Sequence, residues 1–102
     1  IKQYIGNAID VIPKLSFKFE LVYIDADKIN YCNYFDSVID KVELGGLIIA
    51  DNVLWSGKVA EPNKDNDTKS LDQYNKKIMA SKKVENLLLP VRDGLMICRK
   101  IK

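Results

Sequence analysis

Two short polar clusters interrupt the apolar segments of this sequence, and each directly follows a predicted β-strand. Asp25-Ala26-Asp27-Lys28 comes after the apolar run at residues 19–24, and Asp51-Asn52 follows the next such run. Ligands of parallel α/β sheets gather at the carboxyl ends of the strands, so both clusters are candidate functional sites. If the two strands are neighbours, the two clusters lie about 5 Å apart, which is the spacing of adjacent strands.

The residue types in these clusters favour a divalent cation. Two carboxylates at strand-to-strand distance repel each other unless a proton or a cation lies between them. Mg²⁺ prefers oxygen ligands and keeps some of its waters, so Asp25, Asp51 and the Asn52 amide oxygen could hold it and leave room for a substrate. The alternative is that each aspartate only caps a helix or turn, which is a common role after a strand.

Lys28 is the candidate proton acceptor, because a lysine beside a cation could take a proton from a hydroxyl group. The alternative is an ordinary solvated loop lysine. The sequence contains no histidine, so carboxylates, amides, lysines and tyrosines must supply any chemistry.

Composition sets limits on the class of protein. The 102 residues are 47% hydrophobic and carry a formal net charge of +2, which is typical of one small globular domain and too weak to indicate nucleic acid or a membrane surface. The two cysteines lie far apart in apolar patterns, which favours free thiols over a disulfide. We therefore expect a cytoplasmic protein with no membrane partner.

Hydrophobic periodicity predicts alternating strands and helices. The strand-like segments are residues 1–6, 19–24, 47–50, 84–91 and 95–101, and the helical ones are 8–15, 30–42 and 68–81. The apolar run at 19–24 suggests a strand that is covered on both faces. Ser70 and Gln73 have capping-box spacing for the third helix. A long polar loop at 53–67 separates the second helix–strand unit from this helix.

The order of these elements predicts an α/β fold in a single domain. Strand, helix and strand within about 30 residues form a parallel crossover. Arg92-Asp93-Gly94 between two apolar runs is typical of a hairpin turn, so the chain should end in an antiparallel hairpin.

Several segments resemble, in order, the motifs of the cation-dependent O-methyltransferases of the caffeoyl-CoA and catechol type, including bacterial members. Residues 19–34 match the block "F-D-hydrophobic-hydrophobic-hydrophobic-D-A-D-K-x-x-Y-x-x-Y", and residues 45–59 match "GG-x-I-x-x-D-N-x-L-W-x-G-x-V". Residues 89–95 are similar to the terminal "LP-x-x-DG-L" hairpin. Residues 5–8 are similar to the turn "x-G-D-A", with Asn7 where aspartate is usual.

The resemblance implies a Rossmann-like fold that binds S-adenosylmethionine and a divalent cation, Mg²⁺ or alternatively Mn²⁺ or Ca²⁺. It also implies a role for each matching residue. Lys28 would be the catalytic base; Asp25, Asp51 and Asn52 the metal ligands; Ala8, Asp25, Asp27 and Tyr34 part of the cofactor site; and Trp55 part of the acceptor pocket. Tyr34 is also a core residue of its helix, and its hydroxyl could serve both roles.

The implied activity is methyl transfer from S-adenosylmethionine to a metal-bound hydroxyl of a small aromatic or hydroxylated acceptor, with a hydroxylated tRNA base as a further option. No glycine-rich cofactor loop is present, and family members are about twice as long, so we expect a C-terminal half without the N-terminal strands and with little activity alone. We expect a homodimer. The alternatives are a non-catalytic, self-associating α/β module and a phosphotransfer or phosphatase-type site.

Overall fold

The computed structural model describes all 102 residues, which form one four-stranded mixed sheet with helices against it. The strands are β1 (Phe19–Ile24), β2 (Val42–Asp51), β3 (Val84–Leu89) and β4 (Leu95–Lys100), in the order β1-β2-β4-β3. The α-helices are α1 (Ala8–Val11), α2 (Tyr31–Val38) and α3 (Asn66–Ala80). Short 3-10 turns lie at Ile12–Lys14, Lys28–Asn30, Ile39–Lys41 and Trp55–Ala60.

The predicted crossover and hairpin are both confirmed. Strands β1 and β2 are parallel neighbours, and Ile24 pairs with Ala50 at their carboxyl ends. Strand β4 runs antiparallel to both β2 and β3, and Leu89 pairs with Leu95 beside the hairpin turn. The sheet therefore brings the two predicted polar clusters to one edge.

The hydrophobic core lies between the sheet and the helices α2 and α3. Tyr31, Tyr74, Ile48 and Ile78 are fully buried there. The rings of Tyr31 and Tyr74 meet edge to face with centroids 5.5 Å apart, which joins the two helices over the sheet.

The opposite face of the sheet is uncovered, so the prediction that residues 19–24 are covered on both faces is wrong. Leu21 and Tyr23 of β1 are 57% and 55% exposed. Tyr23 lies level with Ile49, Ile97 and Leu87, so one apolar row crosses all four strands. The physical reason is that the long helices of this chain both pack on the face that carries Ile48.

Residues 1–6 do not form the predicted strand. An isolated apolar segment cannot become a strand without a neighbour to accept its hydrogen bonds, and no strand of the sheet pairs with this segment. Ile1 and Ile5 are instead fully exposed.

The start of α3 also differs from the predicted capping box. Asp65 is the N-cap, and its carboxylate accepts hydrogen bonds from the Thr68 backbone N–H at 2.9 Å and from the Thr68 hydroxyl at 2.6 Å. Helix α3 therefore begins at Asn66, and Ser70 and Gln73 lie inside it. An aspartate that can reach a backbone N–H three residues later takes the N-cap position.

The second predicted helix and the strand after it meet earlier than expected. Helix α2 ends at Val38 and passes through one 3-10 turn into β2 at Val42. The pairing of β1 with β2 shifts between Phe19 and Leu21, where β2 bulges at its glycines. A side chain at Gly46 would come within 3.0 Å of the Glu20 backbone oxygen, so only glycine fits this close approach.

Cys32 and Cys98 are free thiols, as predicted. Burial raises the pKa of the Cys98 thiol to about 12, so this thiol is protonated and unreactive at neutral pH. None of the helices is both long enough and apolar enough to cross a bilayer.

Candidate active site

The carboxyl ends of β1 and β2 bring three of the predicted site residues together, with two of them in contact with the ammonium group of the third. The Lys28 Nζ atom lies 3.4 Å from an Asp25 carboxylate oxygen and 3.1 Å from the Asn52 side-chain oxygen. Asp25 and Asn52 are 27 positions apart in sequence but follow strands that pair in register. The parallel pairing is therefore what assembles the site.

Lys28 is not a solvated loop lysine. Its side chain is only 12% exposed, and Nζ also donates to the Ala26 carbonyl at 3.0 Å and to the Tyr31 hydroxyl at 2.9 Å. The ammonium lies 5.6 Å from the centre of the Trp55 ring, within the range of a cation–π contact. Five groups thus hold one flexible side chain in a single position.

Tyr31 connects this ammonium to the sheet. Its hydroxyl accepts from Lys28 and donates to the Asp51 backbone carbonyl at 2.8 Å. Burial raises the pKa of this hydroxyl well above its usual value, and the negative charge of Asp25 adds to the rise. In the sequence, Tyr31 falls within the matched block at residues 19–34, but no site role was predicted for it; the available signal was a tyrosine three residues after Lys28.

Asp51 is oriented by two donors. The Tyr23 hydroxyl donates to one carboxylate oxygen at 2.6 Å, and the Asn52 backbone N–H donates to the other at 2.7 Å. The hydrogen bond to Asp51 raises the pKa of Tyr23 to about 12. The side chains of Asp25 and Asp51 do not cap the 3-10 turns that follow them, so the helix-capping part of the alternative is wrong.

Asn52 presents its two amide ends to opposite charges. Its side-chain oxygen faces Lys28, and its Nδ2 donates to an Asp93 carboxylate oxygen at 3.1 Å. The other Asp93 oxygen accepts from the Ser56 backbone N–H at 2.5 Å. Sequence reasoning treated Asp93 only as a hairpin-turn residue, because nothing in the spacing connects it to a residue 41 positions earlier.

The residues assigned to the cofactor lie on the β1 side of this cluster. Ala8, Asp25 and Tyr34 line one mainly apolar cavity of about 320 Å³. The Tyr34 hydroxyl donates to the Asp27 carboxylate, which lowers the pKa of Asp27 and raises that of Tyr34 to about 12. Tyr34 is 8% exposed, so it is a core residue whose hydroxyl reaches the edge of the cavity.

A second cavity of about 470 Å³ opens beside Asp51 and Asn52 and is also lined by Tyr23, Arg92 and Asp93. Trp55 does not line this cavity; it lies over Lys28 in a left-handed turn with φ of 50°. The structure therefore brings Trp55 to the same cluster as the predicted metal ligands, but on the Lys28 side.

The donor set fits a hard divalent cation. The Asp25 carboxylate and the Asn52 amide oxygen already converge on a positive charge, that of Lys28, and all the donors are oxygens. No group of three His, Cys, Asp or Glu side chains with metal-binding placement exists in the chain. A cation at this edge would therefore need Asn52 as its third protein ligand.

Known proteins match this chain in both sequence and fold. The model of a family described as O-methyltransferase matches residues 4–101. A caffeoyl-CoA O-methyltransferase from Petroselinum crispum is 43% identical over 90 residues, which are 81% of this chain and 37% of the relative. The chain thus spans less than half the length of this relative.

Solved structures show the same architecture. An SAH-bound methyltransferase from Podospora anserina aligns with a TM-score of 0.84 and 27% identity, covering 95% of this chain and 47% of that one. An O-methyltransferase from Bacillus cereus in complex with SAH has a TM-score of 0.80 and 26% identity, covering 93% and 48%. The predicted Rossmann-like methyltransferase fold is confirmed, and the chain belongs to the O-methyltransferase family.

Proposed function

We propose that this chain supplies the cation-binding and proton-accepting side of an S-adenosylmethionine-dependent O-methyltransferase. The observation that carries the proposal is the convergence of the Asp25, Asn52 and Tyr31 oxygens on the nearly buried Lys28 ammonium. The acceptor would be a small aromatic or otherwise hydroxylated molecule. The name of the Petroselinum crispum relative, which includes caffeoyl-CoA, supports an activated phenolic as the first acceptor to test.

Asp25, Asp51 and Asn52 would hold the cation, with Mg²⁺ as the first choice and Mn²⁺ or Ca²⁺ as alternatives. When bound, a divalent cation supplies Lewis-acid chemistry that lowers the pKa of an acceptor hydroxyl. The hydrogen bonds from Tyr23 and the Asn52 backbone hold the Asp51 carboxylate in one orientation before any ligand arrives.

Lys28 would accept the proton of the acceptor hydroxyl at Nζ, acting from its unprotonated form. When bound, S-adenosylmethionine would supply the methyl group that the acceptor oxygen takes, with S-adenosylhomocysteine as the leaving group. The Ala26 carbonyl, the Tyr31 hydroxyl and the Trp55 ring restrain Nζ, so little reorganisation accompanies the transfer.

The cavity lined by Ala8, Asp25 and Tyr34 would receive part of the cofactor. Two solved relatives that share this fold hold SAH, which supports the same cofactor for this chain. The Asp27 carboxylate accepts from the hydroxyl of Tyr34, which lines this cavity, and its negative charge suits a positively charged amino group there.

The proposal is tested by a methyl-transfer assay of an enzyme that contains these residues, with labelled S-adenosylmethionine and caffeoyl-CoA, catechol or a hydroxylated tRNA as acceptor. We expect activity to disappear with EDTA and to return with Mg²⁺ or Mn²⁺. Activity that is unchanged by chelation would remove the metal role from Asp25, Asp51 and Asn52. We expect residues 1–102 alone to transfer little or no methyl group.

A second proposal concerns association. The apolar row on the uncovered sheet face, formed by Tyr23, Ile49, Ile97 and Leu87, favours a homodimer over a monomer in solution. Light scattering coupled to size exclusion measures the mass directly. We expect Leu87→Lys to shift the chain toward monomer; a monomeric wild type would contradict the proposal.

A further inference from the structure

We propose that Asp93 is a positioning residue that fixes the orientation of the Asn52 side-chain amide. Asp93 thereby determines which amide atom faces Lys28. In the proposed function, which this part of the inference rests on, the same amide atom faces the cation. Asp93 belongs to the turn between β3 and β4, outside both predicted polar clusters.

The argument begins with the two ends of the Asn52 amide. The oxygen and nitrogen ends are nearly the same size, so packing alone does not choose between the two orientations. On one side the Lys28 ammonium donates to the oxygen at 3.1 Å, and on the other side the amide nitrogen donates to Asp93 at 3.1 Å. The flipped orientation would set an NH₂ group against an ammonium and a carbonyl against a carboxylate.

The second step is that Asp93 itself is held in place. Its other carboxylate oxygen accepts from the Ser56 N–H at 2.5 Å, and its backbone carbonyl accepts from the Leu54 N–H at 2.9 Å. Gly94 lies directly against Leu54, where a Cβ atom would come within 2.5 Å of the Leu54 Cγ. The hairpin turn and the loop after β2 thus form one rigid contact.

The third step concerns the backbone that carries Asn52. Asn52, Trp55 and Ser56 have φ values of 65°, 50° and 54°, in the left-handed region that L-residues rarely adopt. The hydrogen bonds that the Asp93 carboxylate accepts from the Asn52 side chain and the Ser56 backbone N–H compensate for this cost at both ends of the turn. Only the amide oxygen can act as a ligand, so loss of Asp93 would remove one of the two contacts that keep this oxygen, rather than the NH₂ group, on the side of the cation.

The test uses one single variant, one double variant and one control variant of the 102-residue chain. Asp93→Asn keeps the shape of the side chain and its acceptor for Ser56, but it sets one NH₂ group against another at Asn52. The double variant Asn52→Asp/Asp93→Asn reverses the pair, because the new carboxylate accepts from the new amide and still faces Lys28. Asp40→Asn, at a carboxylate that is 82% exposed, is the control.

The first measurement needs no metal. In the wild type, NMR should show the Asn52 side-chain amide as a slowly exchanging, hydrogen-bonded group, and Asp93→Asn should convert it to a fast-exchanging one. A fast-exchanging Asn52 amide in the wild type would overturn the proposal, even if the variant fails to fold. An unchanged amide in a folded Asp93→Asn variant would overturn it as well.

The second measurement is the affinity for Mn²⁺, followed by electron paramagnetic resonance. We expect Asp93→Asn to bind Mn²⁺ about 10–100-fold more weakly, which is the usual effect of removing a group that orients a ligand. The double variant should recover most of that loss, and Asp40→Asn should match the wild type. Equal affinities in Asp93→Asn and the wild type, or a double variant no better than Asp93→Asn, would contradict the proposal. If the wild type binds no Mn²⁺, the cation part of the proposed function fails, while the amide measurement still decides the role of Asp93.

Discussion

The Tyr31 hydroxyl connects helix α2 to the candidate active site, and its removal should break both hydrogen bonds that make this connection. Tyr31→Phe keeps the buried ring and its edge-to-face contact with Tyr74, 5.5 Å between centroids. It deletes the acceptor for Lys28 at 2.9 Å and the donor to the Asp51 carbonyl at 2.8 Å. Both deleted hydrogen bonds belong to a residue that is fully buried, so water cannot replace them without opening the core.

The expected cost follows from these two hydrogen bonds. A hydrogen bond to a charged group contributes about 1.5–3 kcal/mol and a neutral one about 0.5–1.5 kcal/mol. Lys28 keeps its contacts with Ala26, Asp25 and Asn52 in the variant, so losing its hydrogen bond to Tyr31 should cost an amount at the lower end of the range for charged groups. We expect Tyr31→Phe to lower the free energy of unfolding by about 2 kcal/mol, which corresponds to roughly 8–16 °C in the melting temperature of a domain of this size.

Urea denaturation followed by circular dichroism measures this free energy. Tyr4→Phe is the matched control, because Tyr4 is about half exposed and outside the core, and it should change the free energy by less than about 0.5 kcal/mol. If Tyr31→Phe is as mild as Tyr4→Phe, the hydroxyl does not hold the site together and the reasoning is wrong.

Three further predictions concern the lysine, the cofactor side and the hairpin turn. Lys28→Met should abolish methyl transfer by the parent enzyme, because it removes the proton acceptor. Mn²⁺ binding should remain, because the oxygen donors are unchanged; loss of both methyl transfer and Mn²⁺ binding would indicate that Lys28 has a structural role. The hydrogen bond from Tyr34 lowers the pKa of Asp27 in the folded chain. The stability that the ionised Asp27 carboxylate contributes should therefore be complete above the unfolded pKa of about 3.9 and be lost as the pH falls through the folded pKa. The stability difference between wild type and Asp27→Asn should therefore be constant at neutral pH and shrink only in acid; a difference that shrinks near pH 7 would refute this. Gly94→Ala should lower stability by more than about 1 kcal/mol, because φ is +86° and the new Cβ would overlap Leu54; a melting temperature equal to wild type would contradict it.

The strand ends could be predicted because the signals are local. A buried apolar run followed by an acidic cluster places Asp25 at a strand end from a few residues of sequence, and the single helix between the two runs makes the strands parallel. The prediction for residues 1–6 was wrong because a strand depends on a partner elsewhere in the chain, which an apolar pattern does not reveal.

The supporting side chains could not be predicted for a related reason. Asp93 and Asn52 meet only because β2 pairs with β4, which places the hairpin turn beside the end of β2. Tyr31 has the same spacing as an ordinary core residue, and its hydroxyl acquires a role only when Lys28 and the Asp51 carbonyl lie above it. Pattern analysis therefore finds the groups that could do chemistry more readily than the groups that orient them.

Paramagnetic broadening of the NMR spectrum by Mn²⁺ tests the central claim most directly. If Asp25, Asp51 and Asn52 hold a divalent cation, the backbone signals of residues 25–26 and 51–52 should broaden first, while that of Asn86 on the far edge strand should stay sharp. Asp51→Asn should weaken this effect at the strand ends. Broadening that is spread evenly over the acidic surface, or that is unchanged in Asp51→Asn, would contradict the proposed cation site.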